Sequence, residues 1–298
     1  MTIVNLIQAR TVFKRASFLY TDCRQKKEEM TLIRLIITDM DGTLLHGDKS
    51  MPAGTLELIR ELHARGIVFA AGSGRQYASL RKSFASCAEL MYFIAENGAM
   101  SVEGKSARVL DHHPLNIEDV HRFIRMSEQI PGAVPVLCGV KSAWYTTEDP
   151  ADLRNITPYY HNHQRVSDLH GVDDEILKIA ILHHGGTAEH IYPRFAPYRA
   201  DFSIAVSAFE WMDIMPKGVN KGVGVRMLQK HLGITREETM AFGDFMNDLE
   251  MLQEAGYSVA MKNALPQIKA VCREETAYTN EEDGVIRWIR QWLKKGIE

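Results

Sequence analysis

Residues 32–45 read LIRLIITDMDGTLL. An apolar run over residues 32–38, broken only by Arg34, has the length of a buried strand. Asp39 and Asp41 follow it directly, then Gly42 and Thr43. In open α/β sheets ligands sit beyond the carboxyl ends of strands. Two carboxylates one residue apart at such an edge repel each other, and a cation between them relieves that repulsion. The alternative is an Asp-Met-Asp-Gly turn, because Asp and Gly also favour turns for local hydrogen-bonding reasons.

Outward from this stretch the pattern alternates. Residues 52–65 read as a helix with Leu56, Ile59 and Leu62 on one face, closed by Gly66. A second buried strand over 67–71 runs into Gly72-Ser73-Gly74-Arg75. A helix over 77–84 leads to a third strand at 92–95 and then Glu96-Asn97-Gly98. Strands alternating with helices imply parallel βαβ units. Between about 107 and 207 strands come in groups instead, at 134–138, 143–146, 176–182 and 202–207, after a helix at 117–126. That segment reads as an α+β insert with its own antiparallel sheet. The doubly wound pattern resumes after Trp211: a helix at 221–232, a T-x-x-E capping box from Thr235 to Glu238, a strand at 239–242 and a helix at 247–255. A last strand at 257–260 and a terminal helix at 285–294 follow. The expected fold is therefore α/β, with a doubly wound, Rossmann-like parallel-sheet core at 31–106 and 208–298 and an inserted α+β cap at 107–207. Residues 1–30 read as an extension outside the fold, with a targeting segment as the alternative.

Composition narrows the function. Hydrophobic residues at 45% and charged residues at 24% belong to a chain able to build a full core, and 298 residues allow about two domains. A net charge of −3 provides no basic footprint for nucleic acid. No apolar run approaches the ~20 residues of a membrane span. The four cysteines are scattered and form no CxxC pair, which argues against structural zinc and for a reducing cytosol. His161, His163, His183 and His184 lack partner spacing for a metal and read as polar surface.

Three strand ends offer polar groups: Asp39 and Asp41 from the first, Ser73 from the second, Asp244, Asn247 and Asp248 from the third. Lys221 opens the helix before the third strand. Carboxylates, a hydroxyl and a lysine at one sheet edge are hard-cation ligands beside phosphate-binding groups. Taken singly, each has a plainer reading: a turn former for Ser73, a solvated helix residue for Lys221, helix-start acids for Asp244 and Asp248.

These motifs carry a resemblance. The sequence resembles the haloacid dehalogenase superfamily, and within it the Cof-type (subfamily IIB) phosphatases with a large inserted cap. The matching stretches are DMDGTL at 39–44, Ser73-Gly74-Arg75, ENGA at 96–99, GVNKG at 218–222 and GDFMND at 243–248. Family members more often carry a bulkier residue where this chain has Gly72. The cap stretch 138–144 is similar to that of sugar-phosphate phosphatases. The resemblance implies Asp39 as nucleophile, Asp41 as general acid and base, and Ser73, Gly74, Lys221 and Asn247 around the phosphoryl group. It implies Mg²⁺ held by the Asp39 side chain, the Asp41 backbone carbonyl and Asp244, with Asp248 orienting Lys221 or a metal-bound water. Lys217 is the rival for the lysine role, but the motif falls on Lys221. Lys178 and Ser142 are candidate specificity residues; for Lys178 the alternative is an edge-strand charge. The implied activity is Mg²⁺-dependent hydrolysis of a small phosphorylated metabolite, a sugar phosphate by resemblance, in the cytoplasm. A phosphomutase and a non-catalytic sensor of phosphorylated ligands are the alternatives.

Overall fold

The computed structural model describes residues 32–295; the reading of residues 1–30 as an extension lies outside them. Among the described residues the strands run in the order β1 Leu35–Asp39, β2 Val68–Gly72, β3 Met91–Ala95, β4 Met100–Glu103, β5 Arg108–His112, β6 Val134–Gly139, β7 Ala143–Tyr145, β8 His163–Arg165, β9 Ile176–Leu182, β10 Phe202–Ala208, β11 Trp211–Pro216, β12 Thr239–Gly243, β13 Tyr257–Ala260 and β14 Glu274–Glu275. They form two sheets. The larger runs β14-β13-β12-β1-β2-β3-β4-β5, parallel as far as β3 and antiparallel beyond it. The smaller runs β10-β11-β9-β6-β7-β8 and is antiparallel apart from β7 beside β8.

Strand β1 is central, with β2 on one side and β12 on the other, and all five of its residues are buried. Helices cover both faces of such a sheet, which is why its middle strand carries no polar alternation until the chain leaves the sheet at Asp39. The neighbouring strands turn away in opposite directions along the sequence at this point, so the carboxyl edge beside β1 is the topological switch where α/β proteins bind ligands.

The smaller sheet buries both faces as well. Ile179 and Ile181 of β9 join one apolar cluster with Phe123, Ile124 and Phe195, while Ala180 and Leu182 join another with Val136, Cys138 and Trp211. The helix Ile117–Glu128 covers the first face through Val120, Phe123 and Ile124, and its first turn is capped by Asn116 accepting from the Glu118 amide at 2.9 Å.

The chain exchanges sheets later than the residue pattern suggests at both ends. Arg108–His112 was expected in the insert beginning at 107, yet it is the outer strand of the larger sheet; its polar residues suit an edge strand and hide its pairing. Trp211–Pro216 was expected beyond the insert ending at 207, yet β11 lies between β10 and β9 in the smaller sheet. Lys178 is not on an edge strand: β9 pairs on both sides, and the lysine is buried. The Thr235–Glu238 reciprocal hydrogen bonds form, with the Thr235 amide donating to Glu238 Oε2 at 2.8 Å, but they close a turn ahead of β12 rather than start a helix. The helix expected over 247–255 is shorter, Leu249–Gln253, preceded by a 3₁₀ turn at Met246–Asp248. Among the described residues, no helix is long and apolar enough to cross a membrane.

Candidate active site

Register alone brings the first group together. Parallel pairing sets Asp39 beside Gly72 and Thr38 beside Phe242, so the residues just past β1, β2 and β12 meet at one edge. Lys221 reaches them from the start of the helix Lys221–Leu232, whose first turn is capped by the Asn220 side chain accepting from the Val223 amide at 3.2 Å. Its ammonium is fully buried and donates to Asp39 Oδ1 at 2.5 Å and to Asp248 Oδ1 at 2.6 Å. Asp248 Oδ2 in turn accepts from the Asp244 and Phe245 amides at 2.9 and 3.1 Å. Asp244 accepts from the Thr43 hydroxyl at 2.7 Å. Gly42 has φ +82, and a Cβ there would stand 2.5 Å from Asp244 Oδ2, so the turn after Asp41 must lack a side chain to let this carboxylate in.

Asp39, Asp244 and Asp248 each bring an oxygen within 4.8 Å of the others, a donor set of hard oxygens suited to a divalent cation. Asp248 is the member whose two oxygens are already engaged, by Lys221 and by loop amides. Burial, followed by the charge of Asp248, raises the Asp39 pKa to about 8 against the pull of Lys221. Burial likewise raises Asp244 to about 6, with the Thr43 hydrogen bond opposing it. Burial works against the Lys221 ammonium, but Asp248 and Asp39 outweigh it and keep the lysine charged. Three carboxylates against one lysine leave an excess of negative charge that a cation would relieve.

Asp41 stands apart. Its carboxylate accepts from Arg75 Nε at 2.8 Å and a terminal Arg75 nitrogen at 2.5 Å, and Lys49 Nζ lies 2.9 Å away. Burial favours the neutral acid, but Arg75 and then Lys49 prevail and hold its pKa below the ordinary value. Ser73 is buried, and its hydroxyl accepts from the Arg75 amide at 3.2 Å. Asn247 donates to Asn97 Oδ1 at 3.4 Å, and a Cβ on Gly74 would lie 3.0 Å from the Asn97 amide nitrogen, so these three residues share one corner. Lys217 points elsewhere, donating to the Arg199 carbonyl at 2.8 Å. Gly72 is explained by packing: a Cβ there would press on Met251 Sδ at 3.2 Å.

Ser142 is buried, and its hydroxyl has no hydrogen-bond partner among the described residues. With Lys141, His161, Asn162, His163 and Gln164 it lines a cleft of 330 Å³. The cleft adjoins the segment that follows Arg75, because Gln76 Nε2 donates to the Asn162 carbonyl at 2.8 Å. Two of the four histidines therefore border a cleft instead of open surface. His184 bridges Asp152 and Glu210, and His183 stacks on His190. Arg75, Lys49, Thr43, Asn97 and Glu96 were given no role from the sequence; the Ser-Gly-Arg and Glu-Asn-Gly stretches at strand ends were the available signal for three of them.

A family model for haloacid dehalogenase-like hydrolases matches residues 36–289, spanning both sheets and every strand end described above. The chain belongs to that family. It is 31% identical over 270 residues to the 5-amino-6-(5-phospho-D-ribitylamino)uracil phosphatase YbjI of Escherichia coli (strain K12), covering 88% of this chain and 97% of the relative. It is 30% identical over 241 residues to the HMP-PP phosphatase of Cronobacter sakazakii, covering 80% and 88%. A solved haloacid dehalogenase subclass IIB sugar phosphatase shares the fold with a TM-score of 0.71 at 24% identity, over 87% of this chain and 98% of its own. This chain is thus a phosphatase of the haloacid dehalogenase-like family, and its acidic triad is suited to a metal ion.

The raised carboxylates give a pH signature. Asp39 and Asp244 have folded-state pKa values above the ordinary 3.8. Their contribution to stability is therefore complete below that value and is lost as pH rises through about 6 and then about 8. A divalent cation held by these carboxylates would take the place of the protons. The Tm gain on adding Mg²⁺ is expected to grow steadily between roughly pH 5.5 and 8.5, as the two carboxylates become ionised. A gain of the same size at both ends of that range would contradict the assignment of the cation to these residues.

Proposed function

We propose that this chain is a Mg²⁺-dependent phosphatase that hydrolyses its substrate through a phosphoryl group carried on Asp39. The observation that supports this most is the Lys221 ammonium, wholly buried between Asp39 and Asp248 at the carboxyl edge beside β1. A lysine in that position both balances a nucleophilic carboxylate and offers a donor to phosphoryl oxygens.

In this reading an Asp39 oxygen attacks phosphorus, the bond to the leaving oxygen breaks, and that oxygen takes a proton from Asp41. Water then attacks the phosphoryl-Asp39, giving up its proton to Asp41 and restoring both groups. Arg75 and Lys49 hold Asp41 ionised, the form needed to accept the proton from water. For the first step these cations must release it as the leaving group arrives. Ser73, the Gly74 backbone and Asn247 complete the phosphate pocket with Lys221, and Asp248 orients the lysine. Asp39 and Asp244, with the Asp41 backbone carbonyl, would hold Mg²⁺, which supplies positive charge between the nucleophile and the phosphate.

The unit built on the smaller sheet acts as a cap, and the cleft bordered by Ser142, Lys141 and the two histidines takes the leaving group. Its polar lining suits a leaving group rich in hydroxyl or amide functions, either a sugar or a polyol-bearing ring such as the E. coli relative's name describes. Sugar phosphates are the first substrates to try. The cysteines among the described residues, Cys87, Cys138 and Cys272, are free, in keeping with a cytoplasmic setting.

The test is a screen of phosphorylated sugars and phosphorylated ring-bearing polyols with Mg²⁺, repeated with chelator. Release of inorganic phosphate with Mg²⁺ alone is the expected result. An isomerised sugar phosphate in place of free phosphate would instead mark a mutase, and tight binding without turnover a sensor.

A further inference from the structure

Glu96 and Lys178 form an ion pair where the two sheets meet. Lys178 Nζ lies 2.7 Å from Glu96 Oε2 and 3.9 Å from Asp213, and both partners of the shorter pair are buried. Other polar contacts between the same parts of the chain are Ser79 with Tyr159 and Lys82 with His161, both exposed, and Gln76 with Asn162, partly buried. Leu177, next to Lys178 on β9, is packed into the apolar core of the larger sheet. The smaller sheet thus reaches into the larger unit through Leu177 of β9 and Met215 of β11.

What Glu96 holds is the turn that ends β3. Glu96, Asn97 and Gly98 have φ of 47, 53 and 95, a run of left-handed residues that disfavours the two bearing side chains. The turn touches both walls of the phosphate site. The Glu96 amide donates to the Arg75 carbonyl at 3.1 Å and the Asn97 amide to the Ser73 carbonyl at 2.9 Å. On the other side, a Cβ on Gly98 would stand 2.0 Å from the Asn220 carbonyl oxygen, immediately before Lys221. A shift of this turn therefore moves Ser73 and Lys221 together. Glu96 Oε1 has no hydrogen-bond partner among the described residues, so the carboxylate depends on Lys178 for its place.

We propose that Lys178 is a positioning residue: through Glu96 it fixes the left-handed turn that sets the spacing between the Ser73 loop and Lys221, so that the cap strand determines phosphate affinity without touching the substrate. This inference rests on the phosphatase reading of the site. It replaces a role in leaving-group selection for Lys178 with one shared by every phosphate ester.

The test compares wild type, Lys178→Arg and the uncharged pair Lys178→Met with Glu96→Gln, which removes both charges of the short ion pair and leaves Asp213 as the charge facing the junction from β11. Two readouts are used with Mg²⁺ present: kcat/KM for p-nitrophenyl phosphate and for glycerol 2-phosphate, and the Tm shift induced by inorganic phosphate. The uncharged pair is expected to fold, to lose on the order of 100-fold in kcat/KM by the same factor for both esters, and to lose most of the phosphate-induced shift. Lys178→Arg, which keeps the charge, is expected to recover part of both. Wild-type values in the uncharged pair would overturn the proposal, as would a loss that differs between the esters while the phosphate-induced shift is intact. If the uncharged pair does not fold, a wild-type phosphate-induced shift in Lys178→Arg overturns it and a reduced one supports it. Should wild type release no phosphate from either ester, the phosphatase reading fails on its own, and the phosphate-induced shift still decides the role of the pair.

Discussion

Asp39→Asn is expected to reduce phosphate release by about 10⁴-fold or more while leaving the protein folded, because it removes the atom that attacks phosphorus. The stability side of this prediction is as informative as the loss of activity. In the metal-free protein Asp39 is a reluctant carboxylate, its pKa raised to about 8 by burial and by Asp248. Asn removes that unfavourable charge, and Lys221 keeps Asp248 as a partner. The metal-free Tm is therefore expected to equal or exceed that of wild type. The Tm gain from Mg²⁺ is expected to shrink, since one of the charged ligands has gone. Thermal unfolding with and without Mg²⁺, beside an assay of phosphate release, checks both halves.

Lys221→Met is expected to act in the opposite way on stability. Lys221 is wholly buried and touches two carboxylates at 2.5 and 2.6 Å. Removing it leaves buried negative charge without a counter-charge, a change that costs about 3–5 kcal/mol. For a chain of this size that lowers Tm by roughly 10 °C. Turnover is lost as well, because phosphoryl oxygens lose their donor. Added Mg²⁺ is expected to restore part of the Tm, since the cation takes over some of the missing positive charge, but not the turnover. A metal-free Tm within about 2 °C of wild type would mean that Lys221 does not carry the electrostatic load assigned to it. The two variants together separate chemistry from support: one abolishes reaction at no cost in stability, the other costs both.

The contrast between what residue order revealed and what it concealed follows from where each interaction lies. Strand β1 and its two carboxylates were legible because a strand buried on both faces must be a continuous apolar run and must stop where charge begins. Lys221, Asp244 and Asp248 could be read from the residue types that follow or precede strands, with the resemblance pointing to the roles proposed for them. β4 and β5 were missed because Met100–Glu103 and Arg108–His112 mix apolar and polar residues and are short, so neither shows a continuous apolar run, although β4 is buried as far as Val102. Trp211–Pro216 is apolar apart from Asp213, shows no period of two, and nothing in it states which sheet it joins. The hold of Arg75 on Asp41 and of Lys178 on Glu96 joins residues far apart in the chain, and the pairing follows only once the strand ends converge. Lys178 illustrates the limit well. A lone lysine in an apolar strand reads as an edge charge, yet its partner arrives from the other sheet.

The claim on which the rest depends is that Asp39 itself carries the phosphoryl group. Asp41→Asn slows the water step by removing its base, so the intermediate is expected to accumulate during turnover of p-nitrophenyl phosphate with Mg²⁺. Acid quenching, borohydride reduction and peptide mapping by mass spectrometry then report on it directly. Homoserine at position 39 is the predicted product; an unmodified Asp39 during steady phosphate release, or a modification at any other carboxylate, would contradict the account.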